Sequence, residues 1–158
     1  MADLEPIVGR YLRMPLAGRP HRVYFEEAGQ GLPLVCLHTA GADGRQFRHL
    51  LNDAEVTRHF RVIAFDMPWH GKSLPPVGWQ DEEYTLTTRG YVDLILAFCT
   101  ELGVARPVVL GCSIHEKVSH ALPAWRKSIT LAMQPTRTIG VFVRNSRHEI
   151  RKTCGLPP

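Results

Sequence analysis

The sequence predicts an α/β protein: a mainly parallel sheet with an N-terminal antiparallel hairpin and helices on both faces. Three observations carry this. Largely apolar runs without regular alternation stand at Leu34-Val35-Cys36-Leu37, Phe60-Arg61-Val62-Ile63-Ala64-Phe65 and Pro107-Val108-Val109-Leu110, as strands covered on both faces by helices should read. Between the second and third runs, Tyr91, Leu94, Ile95, Phe98 and Leu102 recur at spacings of three and four, the period of one helix face. Ahead of them, residues 11–16 and 22–27 are short segments of mixed polarity parted by Gly18-Arg19-Pro20, which suits an edge hairpin.

Each element has its own punctuation. Gly29-Gln30-Gly31 turns the chain into the first parallel strand. A short helix is expected over residues 46–51. Thr85 is the expected N-cap of the long helix and Gly103 its stop. Strands alternating with helices imply right-handed crossovers. In such a sheet ligands meet the loops at the C-terminal strand ends. Function is therefore sought where the three apolar runs stop.

Composition narrows the classes. The 158 residues are 44% hydrophobic and 22% charged, an ordinary globular balance sufficient for one core. No run reaches the roughly 18 apolar residues of a membrane span, and Asp3 and Glu5 spoil a signal-peptide reading. Cys36, Cys99, Cys112 and Cys154 match no zinc or redox spacing, so a reduced, cytoplasmic protein with no metal is expected. Charge divides the chain into two expected parts. Residues 1–114 carry eleven Lys/Arg against thirteen Asp/Glu, whereas 115–158 carry eight against two. Trp125 and Phe142 form no ordered basic–aromatic alternation there, so neither nucleic acid nor membrane is expected as a partner.

The strand ends hold the chemistry. The third run stops at Gly111-Cys112-Ser113-Ile114, where a serine after an apolar strand fits a tight turn into a helix, exposing its hydroxyl. A helix N-cap is the plainer alternative for the same serine. The first run stops at Leu37-His38-Thr39-Ala40-Gly41-Ala42-Asp43-Gly44, a small-residue loop able to offer a backbone N–H to an oxyanion or to serve only as a turn. His38 is expected to be a structural hydrogen-bonding residue, not a base. The second stops at Phe65-Asp66-Met67-Pro68-Trp69-His70-Gly71-Lys72-Ser73. A phosphate-binding loop would need glycine five positions before Gly71, where Asp66 stands, and no G-x-G-x-x-G follows a strand. Asp66 is instead expected to tie down backbone N–H groups of a buried loop. No organic cofactor is implied.

Together these three motifs resemble the α/β-hydrolase superfamily in its single-domain esterase/haloperoxidase-like branch, over roughly residues 8–114. The resemblance implies a partial α/β-hydrolase fold and hydrolysis of an ester or related acyl bond. It makes Ser113 the nucleophile and the backbone N–H groups of Ala40 and Ile114 the oxyanion hole. His38, Gly41, Asp66, Gly71 and Gly111 become structural residues near the site. A serine there disfavours the dehalogenase and epoxide-hydrolase branches, which use a carboxylate nucleophile.

The resemblance breaks at His115, where the elbow Gly-x-Ser-x-Gly has its last glycine, and Glu116 follows where a small residue is usual. A Cβ there crowds the turn. Family order requires an acid and then a histidine, and the residues after Ser113 offer Glu116 and Glu149 with His115, His120 and His148. Impaired turnover is therefore expected, the alternative being a truncated or frame-altered product that only binds. Residues 115–158 read as an atypical basic tail. A helix within 118–133 interrupted by Pro123, a strand over residues 138–143, an aperiodic end over 144–158 and partial disorder all stay open. If residues 108–110 form the last sheet strand, they leave an apolar edge inviting self-association, which only residues 138–143 are expected to cover.

Overall fold

A computed structural model describes residues 2–111, 130–132, 138–145 and 148–155. Strands β1 (Val8–Leu16), β2 (Arg19–Ala28), β3 (Leu32–Leu37), β4 (Phe60–Phe65), β5 (Val108–Gly111) and β6 (Thr130–Ala132) form one sheet in the order β1-β2-β4-β3-β5-β6. β7 (Thr138–Asn145) and β8 (His148–Gly155) form a separate antiparallel pair.

β1 and β2 make the antiparallel hairpin, closed by Leu16 opposite Arg19. Its two loop residues, Ala17 and Gly18, both have positive φ, 49° and 76°, the pair of left-handed residues that a type I′ turn requires. The turn thus sits one residue earlier than Gly18-Arg19-Pro20 suggests. β2 then pairs antiparallel with β4, and β3 lies parallel between β4 and β5.

The unbroken apolar runs have their cause in two cores. Val35, Leu37, Ile63 and Phe65 join one buried cluster with Tyr91, Leu94, Ile95 and Phe98. Their neighbours Leu34, Cys36, Val62 and Ala64 join another with Phe47, Leu50 and Leu51. Successive side chains point to opposite faces, and both faces are covered, so neither can be polar. On the first face Phe98 stacks on Phe65 at 4.4 Å and meets Phe25 edge-on at 5.7 Å.

The helices depart from expectation in their ends. The long helix, α3 here, runs Thr88–Glu101 and is capped by Thr87, whose hydroxyl accepts from Gly90 N–H at 3.0 Å. Thr87 has the extended backbone that the cap position needs, so it replaces Thr85 in that role. Gly103 follows with φ of 69°, a left-handed residue past the helix end. The expected short helix is a 3-10 helix at Gly44–Phe47 running into α1 (Arg48–Asn52). A further helix, α2 (Ala54–His59), starts where the Asp53 carboxylate accepts from the Glu55 and Val56 N–H groups.

The tail differs most. Residues 138–143 do form a strand, but they pair with β8 and not beside β5. It is β6 that lies parallel to β5, with Leu110 opposite Leu131. β5 is therefore hydrogen-bonded on both sides over Val109 to Gly111, and of the open apolar edge expected at residues 108–110 only Val108 lies outside the β6 register. Residues 130–132, the described part of the segment 118–133 for which a helix is one expectation, are strand, paired with β5. The expected aperiodic end holds β8, whose order comes from antiparallel pairing with β7 rather than from its own side-chain period.

Candidate functional site

Leu37 lies opposite both Phe65 and Gly111, so the three parallel strands end at one level. Gly111 is buried there, two residues before Ser113. Ser113 and Ile114 lie outside the described residues, as do His115 and Glu116. Ala40, Gly41, His38, Asp66 and Gly71 are all described, and all lie on the two loops that leave β3 and β4.

His38 is almost fully buried. Its Nε2 accepts from Met67 N–H at 3.0 Å, so that nitrogen carries no proton. Nδ1 must then be the donor, and it donates to the Thr39 carbonyl at 2.8 Å. Burial holds the ring's pKa below the ordinary histidine value, with the Thr39 hydrogen bond opposing it in part. The ring is neutral and bridges the β3 and β4 loops.

Three further contacts hold the β3 loop. The Thr39 carbonyl also accepts from Ala42 N–H at 3.0 Å, Thr39 N–H donates to Gln46 Oε1 at 3.0 Å, and His70 Nε2 lies 2.9 Å from the Ala40 carbonyl. The Ala40 N–H finds no acceptor among the described residues. A trans peptide points its N–H away from its C=O. Fixing the Thr39 carbonyl therefore fixes the opposite heading of the Ala40 N–H. Gly41 and Ala42 line the same open depression of about 530 Å³ as Ala40, Trp69 and His70.

Asp66 joins the loops from below. It is 5% exposed, with Oδ1 accepting from Gly44 N–H and Oδ2 from Lys72 N–H, both at 2.7 Å. Gly71 is required beside it: φ is +52°, and a Cβ would lie 2.2 Å from Asp66 Oδ2. Ser73 adds a second tie that sequence reading missed. Its hydroxyl accepts from Tyr24 N–H at 2.8 Å and donates to the Asp66 carbonyl at 2.7 Å, fastening the loop to β2. The signal was present in Gly71-Lys72-Ser73, once that triplet is freed from its phosphate-binding association.

Aromatic residues that sequence reading left unassigned stand above these ties. Trp69 has φ of +72°, which costs a residue with a Cβ about 1–2 kcal/mol. Its ring lies 5.3 Å from Trp79 and 5.6 Å from Tyr84, and Tyr84 reaches His70 at 5.8 Å. No three His, Cys, Asp or Glu among the described residues could hold a metal ion, and no described helix is long and apolar enough to cross a membrane.

A mainly parallel sheet covered on both faces, with its loops converging at the C-terminal strand ends, defines an α/β scaffold of the kind that binds ligands at those ends. The profile of the alpha/beta hydrolase fold family matches residues 33–114. The chain belongs to that family. A curated relative, the 2-hydroxy-6-oxo-6-(2'-aminophenyl)hexa-2,4-dienoic acid hydrolase of Metapseudomonas resinovorans, is 39% identical over 64 residues, 40% of this chain and 21% of its own length. Among solved structures, a variant of the N-acyl homoserine lactonase AidH with N-hexanoyl homoserine shares 27% identity at a TM-score of 0.64, over 80% of this chain and 44% of that one. An epoxide hydrolase from Vigna radiata superposes at a TM-score of 0.66 with 19% identity, over 84% of this chain and 39% of that one. The chain thus spans about a fifth of the curated relative and about two fifths of these structures.

Proposed function

We propose that this chain carries the nucleophile and oxyanion-binding part of a serine hydrolase acting on an ester or related acyl bond. Ser113 attacks the carbonyl carbon, and the N–H groups of Ala40 and Ile114 receive the negative charge that develops on the carbonyl oxygen. An oriented N–H aimed at that charge is worth about 3 kcal/mol of barrier, because it needs no reorganisation as the charge forms. The observation that carries the reading is the Ala40 N–H. It is left without an acceptor among the described residues while the Thr39 carbonyl of the same peptide is held by His38 and Ala42. The similarity to a lactonase agrees with ester chemistry, since a lactone is a cyclic ester.

Proton removal from Ser113 needs a base. His38 is unsuited, because Met67 N–H already occupies its one lone pair. His38 is a positioning residue in this reading, together with Asp66 and Gly71, while Gly41 lines the depression. The residues after Ser113 offer Glu116 with His120 or His148, in the order the chemistry requires. Slow turnover is expected of this reading, because the sequence has His115 where the elbow motif has its last glycine and Glu116 where a small residue is usual.

Those same two residues favour a second reading, in which the chain retains the scaffold and binds acyl ligands without cleaving them. A fluorophosphonate probe separates the two. Labelling of the chain, lost in Ser113→Ala, is expected for the hydrolase reading. Absence of label on a folded chain leaves the binding reading in its place.

A further inference from the structure

Trp69 holds a backbone conformation that glycine adopts freely and a tryptophan does not. Such strain persists where the side chain does something glycine could not. Trp69 is half-buried and forms a wall of two spaces at once. One is the depression beside Ala40. The other is a groove of about 290 Å³ lined by Met67, Tyr84, Leu86 and Leu94. The tryptophan ring is held between them by edge-on contact with Trp79, at 84°, and by tilted contact with Tyr84, at 50°.

We infer that Trp69 determines specificity: the groove behind it takes a planar aromatic group of a ligand whose carbonyl oxygen reaches the Ala40 N–H. The inference rests on the oxyanion reading of that N–H. Three features select the ligand class. The walls near the ring are aromatic, thioether and aliphatic, and an aromatic ligand gains edge-to-face and sulfur contacts there that a saturated one lacks. Of the charged groups that line the groove, Arg19 is taken up by the Glu82 carboxylate at 2.6 Å and by the Val77 carbonyl, and Glu83 stands beside them, so the lining does not call for an anionic ligand. The volume suits a substituted single ring, since a cavity of about 150 Å³ already holds benzene.

The test uses two esters of equal connectivity, methyl phenylacetate and methyl cyclohexylacetate, measured by equilibrium dialysis against the full chain carrying Ser113→Ala to prevent turnover. The phenyl ester is expected to bind about fivefold more tightly. Trp69→Gly removes the ring and relieves the backbone together. It is expected to abolish that preference while raising the melting temperature by about 3 °C. Trp69→Phe, which keeps an aromatic wall, is expected to retain a preference for the phenyl ester. Equal binding of the two esters, binding of neither, or a preference that survives Trp69→Gly overturns the inference. Fluorophosphonate labelling of Ser113 reports separately on the hydrolase reading. Label without aromatic preference defeats the inference alone, and loss of both label and ester binding defeats the two together.

Discussion

The chain leaving β4 is anchored in two different ways along its length. From Asp66 to Ser73 it is held by buried polar groups: the Asp66 carboxylate, the Ser73 hydroxyl and the His38 ring each satisfy backbone groups at fixed distances. From Leu74 to Leu86 it is held by ring contacts and by the exposed Arg19, which donates to the Glu82 carboxylate and the Val77 carbonyl, and it carries the exposed apolar side chains Leu74, Val77, Trp79, Tyr84 and Leu86. The first stretch fixes direction, because hydrogen bonds are directional and an unmade buried one is costly. The second is held less strictly, since apolar contact tolerates sliding and its polar tie, through Arg19, is exposed to solvent. A site needing a donor aimed to within tenths of an ångström belongs on the first kind of anchor, and a wall that shapes a groove can stand on the second.

The largest effect should follow from removing the carboxylate. Asp66→Ala orphans the Gly44 and Lys72 N–H groups, one of them buried, and is expected to cost about 3 kcal/mol or more in urea unfolding. A cost below about 1 kcal/mol would erase the contrast between the two stretches. Acid should act on the same stretch. The folded-state pKa of His38 is lowered, so its neutral ring contributes stability fully above the unfolded value near 6.5. That contribution is lost as pH falls through 6.5 towards the folded value. Unfolding midpoints at pH 7.5 and 5 should therefore differ less in His38→Asn than in the unaltered chain. The smallest effect belongs to the second stretch. Val77 is 80% exposed, and Val77→Ser is expected to change unfolding free energy by less than about 0.5 kcal/mol. A larger cost would mean that the ring-held segment is packed more firmly than its exposure indicates.

The sheet was legible because its signals are local. Two faces must be covered, so Leu34 to Leu37 and Val62 to Phe65 carry no polar residue, and the α3 stripe repeats at the helical period. Two kinds of feature escaped. Caps depend on which of several equivalent hydroxyls has the right backbone, and nothing in Thr85-Leu86-Thr87-Thr88 distinguishes them in advance. Strand partners depend on distant chain, so residues 138–143 could be read as a strand without revealing that β8 would claim them and leave β6 to β5. Near the site, the tie between Gly44 and Asp66 crosses 22 residues of sequence. Residue types suggested a carboxylate that captures N–H groups, and only the fold identifies which ones. The strain at Trp69 has no sequence signature at all.

One carboxylate serving two loops has a further consequence for how such a protein can change over time. Because Asp66 accepts from Gly44 with one oxygen and from Lys72 with the other, the two loops are not separate modules that can be exchanged one by one. A substitution that shifts either backbone pulls on the shared anion and is transmitted to the other. Variation is therefore channelled outward, to the ring-bearing stretch that this anion does not grip.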